Sequence, residues 1–314
     1  MTRSLGKMLA VHMVLAATTL VPLRPTGAQP RGEGPLVLRL PVSARTLALG
    51  NAHLVSNDAD ALFGNPALLT VARGLSASLQ SYGAPAAGGA VANVAAIGAL
   101  FVGVGMQHLT WHAPTAAYDD AVRFGATTLS DGGAVSASSS AFTVGLARSI
   151  KGLQLGASVK FAEDRLGPTG DGTVAIDVGA VRSMGRTLLS VSAQNLGVGP
   201  RLGGVSGTLP RRLGVGIGSV PFAFAEHWDV AAQAQLTLEG EWFVRPAGGM
   251  EVLYVPVDGV AFACRYGVRL PRERDESLVT AGLGFTVDRV SLDYALEPMR
   301  GGRPLSHRVG MRIR

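Results

Sequence analysis

Charge is scarce in this sequence, and cysteine is almost missing. Charged residues make up 16% of the 314 positions, whereas soluble domains carry about 25%. Cys264 is the single cysteine, which excludes a disulfide-stapled scaffold. Hydrophobic residues, at 47%, are too frequent for a disordered chain. Glycine, by contrast, occurs 42 times, about twice its usual share. Together these features indicate a folded protein whose outer surface does not face water.

The net charge of +6 lies partly at the N-terminus. Residues 1–28 contain three basic residues and no acid, which leaves 25 basic and 22 acidic residues in the rest. A nucleic-acid-binding surface needs a basic stripe, and so small an excess does not supply one. We therefore expect no nucleic-acid partner.

Residues 1–28 have the three-part organisation of a secretory signal peptide. Two basic residues precede an apolar run from Met8 to Leu23, and small residues follow as far as Ala28. A membrane anchor is the alternative, but the run is shorter than the roughly 20 residues that span a bilayer. We expect cleavage near Ala28 and export of the remaining chain.

Apolar and polar side chains alternate along most of the chain after residue 74. Leu153 and Val159, for example, are at odd-numbered positions of one stretch, and Ser158 and Lys160 are at its even-numbered positions. A period of two residues is typical of a β-strand with one apolar face. The pattern predicts fourteen strands, at residues 74–82, 86–97, 99–111, 139–150, 153–164, 172–183, 187–195, 211–220, 228–238, 247–255, 259–269, 278–286, 289–297 and 305–313.

This alternation fits either a soluble sandwich or a transmembrane barrel, because the two folds differ only in which face meets the core. Strand length favours the barrel, since most of these strands are longer than the ~5–6 residues of globular strands and near the ~9–11 of membrane strands. Turns are mostly short after even strands, and loops are mostly long or polar after odd ones, including 165–171 and 239–246. We predict an all-β fold, a fourteen-stranded antiparallel transmembrane β-barrel over residues 74–314.

The charged residues support the same fold, because nearly all of them occupy the alternate positions that hold the polar side chains of their strands. A basic residue on the lipid face at mid-bilayer costs about 2–4 kcal/mol. The exceptions, Arg148, Glu163, Arg182 and Arg211, lie near strand ends. The residues predicted to face the lumen are Lys160, Asp164, Asp177, Arg212, Asp229, Glu251, Arg265, Arg269, Asp293, Glu297, Arg308 and Arg312.

One stretch permits a different interpretation. Residues 87–106 contain no charge and are long enough for a transmembrane helix. Five glycines within the stretch and the exported context favour strands instead.

Residues 29–73 do not alternate in this way, and they precede the barrel as a separate segment. Residues 56–63 resemble a short helix capped by Ser56. Pro66 then forces Asn65 out of helical geometry. The segment either lies on the surface or plugs the lumen of the barrel.

Several short motifs occur in a recognisable order along the chain. They are Arg45, Gly50, Asp60-Ala-Leu-Phe-Gly-Asn65-Pro66-Ala67, Gln194-Asn-Leu-Gly197, Leu209-Pro210, Asp293-Tyr-Ala295 and His307-Arg308. In this order the chain resembles the PorV/PorQ family, relatives of the FadL fatty-acid channels. The resemblance implies a fourteen-stranded barrel with an N-terminal hatch held by the Asn-Pro-Ala element. Leu68 and Arg314 depart from the family pattern, which often has glycine and a terminal aromatic residue at these positions.

No motif predicts catalysis, a metal or a cofactor. The glycines at 214, 216 and 218 lie inside an alternating strand with no helix after it, so they do not form a phosphate loop. His108 and His112 are four apart in a strand, about 13 Å along the chain, too far to share a metal ion. We therefore expect a protein that is not an enzyme.

Three functions remain open for a plugged outer-membrane barrel. Transport of small hydrophobic molecules across the outer membrane predicts an apolar pocket between hatch and wall, with a way out towards the membrane. A PorV/PorQ-like role in protein secretion predicts that the long loops, above all 112–138, bind cargo at the cell surface. A purely structural envelope role is the third. The expected partners are membrane lipid, the barrel-assembly machinery, and hydrophobic small molecules or secreted proteins. Because fold resemblance does not fix function, we favour transport only as a working hypothesis.

Overall fold

The computed structural model describes residues 34–82, 89–113, 135–202, 205–240, 242–272, 276–298 and 305–314. The expected signal peptide, the first residues of the expected hatch and most of loop 112–138 lie outside these ranges.

The N-terminal segment, residues 34–73, contains only short helices. Three are 3-10 turns, at Leu36–Arg39, Ala59–Phe63 and Pro66–Thr70, and one is an α-helix, α1, at Ala44–Ala48. The N-cap of α1 is Ser43, whose side chain accepts a hydrogen bond from the Thr46 backbone N–H.

The helix predicted after Ser56 begins later than expected. Its N-cap position is Asp58, which has extended backbone and makes no side-chain cap. The Ser56 hydroxyl donates instead to the Asp60 carboxylate, at 3.3 Å. The prediction that Ser56 caps this helix is therefore wrong, because its hydroxyl group binds the Asp60 side chain and not a backbone N–H at the start of the helix.

Fourteen strands form the barrel wall. We number them β1 to β14: Gly74–Tyr82, Gly89–Ile97, Val102–Ala113, Val135–Ile150, Leu153–Leu166, Thr169–Met184, Thr187–Gly197, Arg212–Ser219, Trp228–Glu239, Phe243–Val257, Val260–Arg269, Val279–Val287, Val290–Glu297 and Ser306–Ile313. A short strand at Phe222–Ala225 extends the β8–β9 hairpin, and a small ribbon pairs Arg201–Leu202 with Val205–Ser206.

The sheet closes on itself. Each strand pairs antiparallel with its neighbours in sequence, and β1 pairs with β14 along Leu75↔Ile313 to Ser81↔His307. Strands β8 and β9 pair directly from Arg212↔Glu239 to Gly218↔Gln233. The predicted fourteen-stranded antiparallel barrel is confirmed, and closure leaves the wall without a continuous free edge.

The outer face of the wall is apolar and the inner face is polar. Leu213 and Val215 of β8 are about half exposed on the outside, at 52% and 49%, whereas Lys160 and Asp177 are buried on the inside. A closed sheet with an apolar outer surface is suited to contact with lipid acyl chains. Among the described residues, no helix is long and apolar enough to span a bilayer.

The alternative of a transmembrane helix at residues 87–106 is wrong. Its described part, from Gly89 onwards, forms all of β2 and the start of β3, which pair from Gly89↔Trp111 to Ile97↔Gly103 around a turn at Ala99–Phe101. Gly89, Gly103 and Gly105 lie within these strands, and Gly98 precedes the turn.

Several strands run further than the alternation predicts. Strands β5 and β6 remain paired to Leu166↔Thr169, and β9 and β10 to Glu239↔Phe243. The expected bounds of the loops 165–171 and 239–246 are therefore wrong, because the strands leave only two residues between Leu166 and Thr169 and three between Glu239 and Phe243. Cross-strand hydrogen bonds continue beyond the apolar outer surface of the barrel. The sequence there no longer alternates between apolar and polar residues, so the pattern does not predict these strand ends.

The two ends of the barrel still differ. We call one the short-turn end, with connections at 98–101, 151–152, 185–186, 220–227, 258–259 and 288–289. The other is the long-loop end, with connections at 83–88, 114–134, 167–168, 198–211, 240–242, 270–278 and 298–305.

The lipid-facing surface gives a direct test of this orientation. Leu283 lies on the outer face at the middle of β12, and Val287 lies on the same face at its short-turn end. We expect Leu283→Arg to lower the free energy of unfolding from vesicles by about 2–4 kcal/mol and Val287→Arg to lower it by about 0–1 kcal/mol. Denaturant titration in phosphatidylcholine vesicles measures both values. Equal costs at the two positions would contradict a membrane-spanning β12.

Candidate functional site

The N-terminal segment lies inside the barrel and touches opposite parts of its wall. Helix α1 contacts β11, β12, β13 and β14, while the turn Pro66–Thr70 contacts β4, β5 and β6. Most of its apolar side chains are buried, among them Leu47, Leu62 and Leu68, each at 0% exposure. The interface between this segment and the inner wall is the candidate site.

Glycines on the inner wall make room for the Asn-Pro-Ala element. The Asn65 side chain occupies the place that a Cβ at Gly179 would need, and the Pro66 backbone does the same at Gly156. Asn65 is extended, and its Oδ1 accepts the Ala67 N–H at 3.1 Å. This element is therefore pressed against bare strand backbone, which only glycine allows.

Gly50 makes a second close approach. Its φ of +71° favours glycine, and its N–H donates to Thr280 Oγ1 at 3.1 Å. A Cβ on Gly267 of β11 would overlap the backbone of Gly50 itself. At this point the two backbones meet with no side chain between them.

The repeated glycines of β8 serve the same purpose. Leu54 lies against Gly214 and Gly216, and Val55 lies against Gly218. These contacts involve residues that the sequence does not single out, although alternate glycines on one face of a strand indicate a surface that another chain segment approaches.

Six buried or nearly buried side chains of alternating charge form a closed ring around part of this interface. They are Arg45, Glu251, Arg265, Asp293, Arg312 and Asp58. Arg45 and Asp58 come from the N-terminal segment, and the other four come from β10, β11, β13 and β14. We call these six residues the charge ring.

Arg45 joins the segment to the wall. Its Nε and Nη2 donate to the two carboxylate oxygens of Glu251 at 3.1 and 2.9 Å, and its Nη1 donates to Asp58 at 2.9 Å. Such paired, planar contacts are the strong form of an arginine–carboxylate interaction. On the wall, Arg265 Nη1 continues the ring to Asp293 at 2.6 Å.

Asp58 closes the ring, and the sequence analysis did not predict this role. It accepts from Arg312 Nη1 at 2.7 Å and from Arg314 Nη2 at 2.5 Å. Burial alone raises the pKa of Asp58, but the charges of Arg312, Arg45 and Arg314 outweigh it and hold the pKa well below its usual value. Asp58 is therefore an ionised anchor of the N-terminal segment.

Asp60 lies beside the ring but is held by hydroxyl groups. Ser43 Oγ donates to it at 2.5 Å and Thr46 Oγ1 at 2.8 Å. Burial and the neighbouring charge of Asp58 raise the pKa of Asp60. The two aspartates are two positions apart, yet their surroundings shift their pKa values in opposite directions.

His53 is another buried group of the segment. Burial lowers the pKa of His53 to about 4. Its backbone N–H donates to Gln235 Oε1 at 2.9 Å, and its ring lies against Gly64. At neutral pH His53 is an uncharged packing residue.

Lys160 and Asp177 form a separate buried pair on the other side of the lumen. Lys160 Nζ lies 2.7 Å from Asp177 Oδ2 and 3.0 Å from Asn195 Oδ1. Lys160 Nζ also lies 3.4 Å from the carbonyl oxygen of Phe63. The Gln-Asn-Leu-Gly motif thus supplies Asn195, which helps to orient the pair.

Arg308 joins the first and last strands to the segment. It is fully buried, and its Nη1 donates to the Pro41 carbonyl at 2.6 Å and to Gln80 Oε1 at 2.9 Å. The β1–β14 seam and the N-terminal segment therefore share this guanidinium.

The remaining lumen-facing residues lie away from the charge ring. Arg212 pairs with Glu239 at 3.3 Å, and Arg269 pairs with Glu297, all near the long-loop end. Asp164 and Asp229 are only half-buried, near the ends of their strands. The predicted set thus divides between several separate clusters.

A pocket lies between the segment and the wall where β8 ends. Arg45, Asn57 and Glu251 are polar residues of its lining. Leu188, Val220, Pro221, Ala231 and Ala232 line its wall side. Leu49 and Val55 of the segment line it as well, as do Ser219 and Gln233 of the wall. The pocket therefore mixes polar and apolar groups on both of its sides, whereas transport predicts an apolar lining. Within the described ranges, no group of three His, Cys, Asp or Glu side chains is arranged to hold a metal ion.

Comparison with known proteins gives matches in structure only. No protein-family model matches the chain, and no curated protein sequence matches it. The toluene transporter TodX of Pseudomonas putida matches with a TM-score of 0.52 at 12% identity, over 92% of this chain and 98% of that one. A TodX deletion mutant, a monoaromatic hydrocarbon channel, matches at 0.54 and 12% identity, over 86% and 98%. A FadL homologue of Pseudomonas aeruginosa matches at 0.49 and 9%, over 87% and 98%.

At this level of identity the TodX matches establish the fold. The chain has the fold of the FadL-type outer-membrane β-barrels, with an N-terminal segment in the lumen. No match supports the narrower resemblance to the PorV/PorQ family, which stays a prediction.

Asp58 and Asp60 provide a matched test of the charge ring. Asp58→Asn leaves buried arginines without their carboxylate, so we expect it to cost about 3–5 kcal/mol at pH 7. Because the folded pKa of Asp58 is lowered, this contribution is present above its unfolded pKa, about 3.9, and is lost as the pH falls further. The difference between wild type and Asp58→Asn should therefore shrink below about pH 4.

Asp60→Asn is the control, because a carboxyl group with a raised pKa is already costly when ionised. We expect this variant to be at least as stable as the wild type at pH 7. Urea unfolding in detergent at pH 7 and at pH 3.5 measures both variants. An equal loss in the two variants at pH 7 would contradict the assigned roles.

Proposed function

We propose that this chain is an outer-membrane channel for small hydrophobic molecules. The observation that carries the proposal is the pocket between the N-terminal segment and the wall, at the place where β8 is interrupted. Its lining includes the apolar residues Leu188, Val220 and Ala231, and Val220 is 38% exposed. An apolar molecule held there contacts these side chains.

The wall is irregular beside this pocket. Pairing with β9 stops at Gly218↔Gln233 of β8 and resumes in the short strand at Phe222↔Val230, and Pro221 lies in the gap. Ser219 Oγ accepts the Ala232 N–H at 3.1 Å, so a side chain replaces one ladder contact. Proline lacks an N–H and commonly marks such an interruption in a sheet.

The packing of the lumen supports a sideways route. The N-terminal segment buries its apolar side chains against glycines of the wall, so a molecule that enters from the long-loop end meets this segment. We infer that the molecule leaves beside residues 219–221, because the desolvated charges of the charge ring do not favour the passage of apolar solutes.

The structural matches provide further support. The TodX chains that share this fold are a toluene transporter and a monoaromatic hydrocarbon channel. Small apolar or aromatic molecules are therefore the first substrates to test here.

Filling the pocket tests the proposal. Ala231 faces the lumen and lines the pocket, so Ala231→Phe should reduce uptake of labelled toluene to the level of a deletion strain. Ala261→Phe is the matched control, because Ala261 also lies near the short-turn end of its strand, β11, but does not line the pocket. Both variants must be present in the outer membrane at wild-type amounts.

The deletion strain also separates the proposed channel from a role in secretion. Uptake of toluene and of a long-chain fatty acid should fall, while the profile of secreted proteins stays unchanged. Normal uptake of both compounds with a loss of secreted proteins would reject the channel in favour of the PorV/PorQ-like alternative.

A further inference from the structure

The short-turn end of the barrel is uneven in charge. The adjacent hairpins β4–β5 and β6–β7 carry Arg148, Lys151, Arg182 and Arg186, all exposed. No acidic residue lies in either hairpin between 146 and 156 or between 180 and 191. We call these four residues the basic sector.

The other side of the same rim has the opposite balance. The hairpins β8–β9, β10–β11 and β12–β13 present the exposed residues Glu226, Asp258, Asp288 and Arg289, which are three acids and one base. Generic attraction of arginine to a membrane surface would spread basic residues around the rim. The separation by sector instead indicates one localised anionic partner.

The basic sector is not neutralised by the protein. Within the described part of the chain, none of its four residues forms an ion pair with a carboxylate. Two other arginines at this end behave differently: Arg314 pairs with Asp58, and Arg73 lies 4.7 Å from the centroid of the Phe101 ring. The charges of the basic sector are therefore available to a ligand.

Two of the four residues are on the outer wall, at the edge of the apolar belt. Arg148 of β4 pairs with Leu155 of β5, and Arg182 of β6 pairs with Leu153 of β5. Neighbouring strands are about 4.8 Å apart, and the two partners are two residues, about 7 Å, apart along β5, which places the two arginine backbones about 12 Å apart. Two arginine side chains can reach a single phosphate across this distance.

The surface next to these arginines is apolar. Ile150, Leu155 and Leu189 are exposed on the outer face, at 48%, 39% and 41%. A ligand that contacts both surfaces needs an anionic head and acyl chains. This combination excludes inorganic phosphate and does not suit the polar surface of an acidic soluble protein.

We propose that the basic sector binds an anionic phospholipid, with its phosphate between Arg148 and Arg182 and its acyl chains on the neighbouring apolar surface. Lys151 and Arg186, in the two turns, contact the rest of the headgroup. Arginine suits this role because its planar guanidinium binds phosphate through paired hydrogen bonds. The site requires only that the barrel lies in a membrane, so it does not depend on the proposed transport.

Lipid titration followed by native mass spectrometry tests the proposal on the purified protein in detergent. The probes are dioleoylphosphatidylglycerol and, as the neutral comparison, dioleoylphosphatidylcholine. The wild type should retain phosphatidylglycerol preferentially. Each basic residue near an anionic surface contributes about 1 kcal/mol, so R148Q/R182Q should bind phosphatidylglycerol at least about tenfold more weakly.

Two further variants make the result specific. R165Q/R211Q removes two exposed charges from the long-loop end and should bind phosphatidylglycerol like the wild type. R148K/R182K keeps the charge but loses the paired hydrogen bonds, so it should bind phosphatidylglycerol more strongly than R148Q/R182Q and more weakly than the wild type. The heat-modifiable mobility of all variants in gel electrophoresis checks that each barrel is folded. Equal retention of the two lipids by the wild type, or an equal loss in R165Q/R211Q, would overturn the proposal.

Discussion

The barrel can contain its N-terminal segment only because side chains are missing from much of its inner wall. Backbone of the segment meets bare strand at Gly156 and Gly267, and the Asn65 side chain does so at Gly179, where a Cβ would overlap these atoms. Apolar side chains of the segment fill the spaces above Gly214 and Gly216. This contact therefore accounts for part of the high glycine content of the chain, since interiors pack closely and tolerate little added volume.

The buried charged residues lie at the same interface between the N-terminal segment and the inner wall. Buried guanidinium and carboxylate groups are costly unless each is paired, and the charge ring pairs every member with two neighbours of opposite sign. The ring includes Arg312 of β14, the last strand. Arg308, also of β14, contacts Gln80 of β1 and Pro41 of the segment. The same strand therefore closes the barrel seam and holds the segment in place. The pocket at the β8 interruption is bordered by this ring through Arg45 and Glu251.

Much of the wall could be predicted from the sequence, because one residue in two faces lipid and the period is visible locally. The inward parity of Lys160 and Arg265 follows from the same pattern. Strand ends could not be predicted where pairing continues beyond the apolar belt, as at Leu166↔Thr169. The role of Asp58 was also hidden, since its partner Arg312 is 254 residues away and the ring exists only after closure.

A disulfide between the segment and the wall measures the central contact most directly. The Cβ of Ala44 lies 3.4 Å from the position of a Cβ on Gly310, close to the ~3.8 Å typical of a disulfide. In a Cys264→Ser background, the pair Ala44→Cys and Gly310→Cys should cross-link in the membrane under mild oxidation. Efficient cross-linking, seen as a mobility shift reversed by reductant, is the predicted result. Two persistently free thiols in a folded barrel would contradict a segment that lies in the lumen.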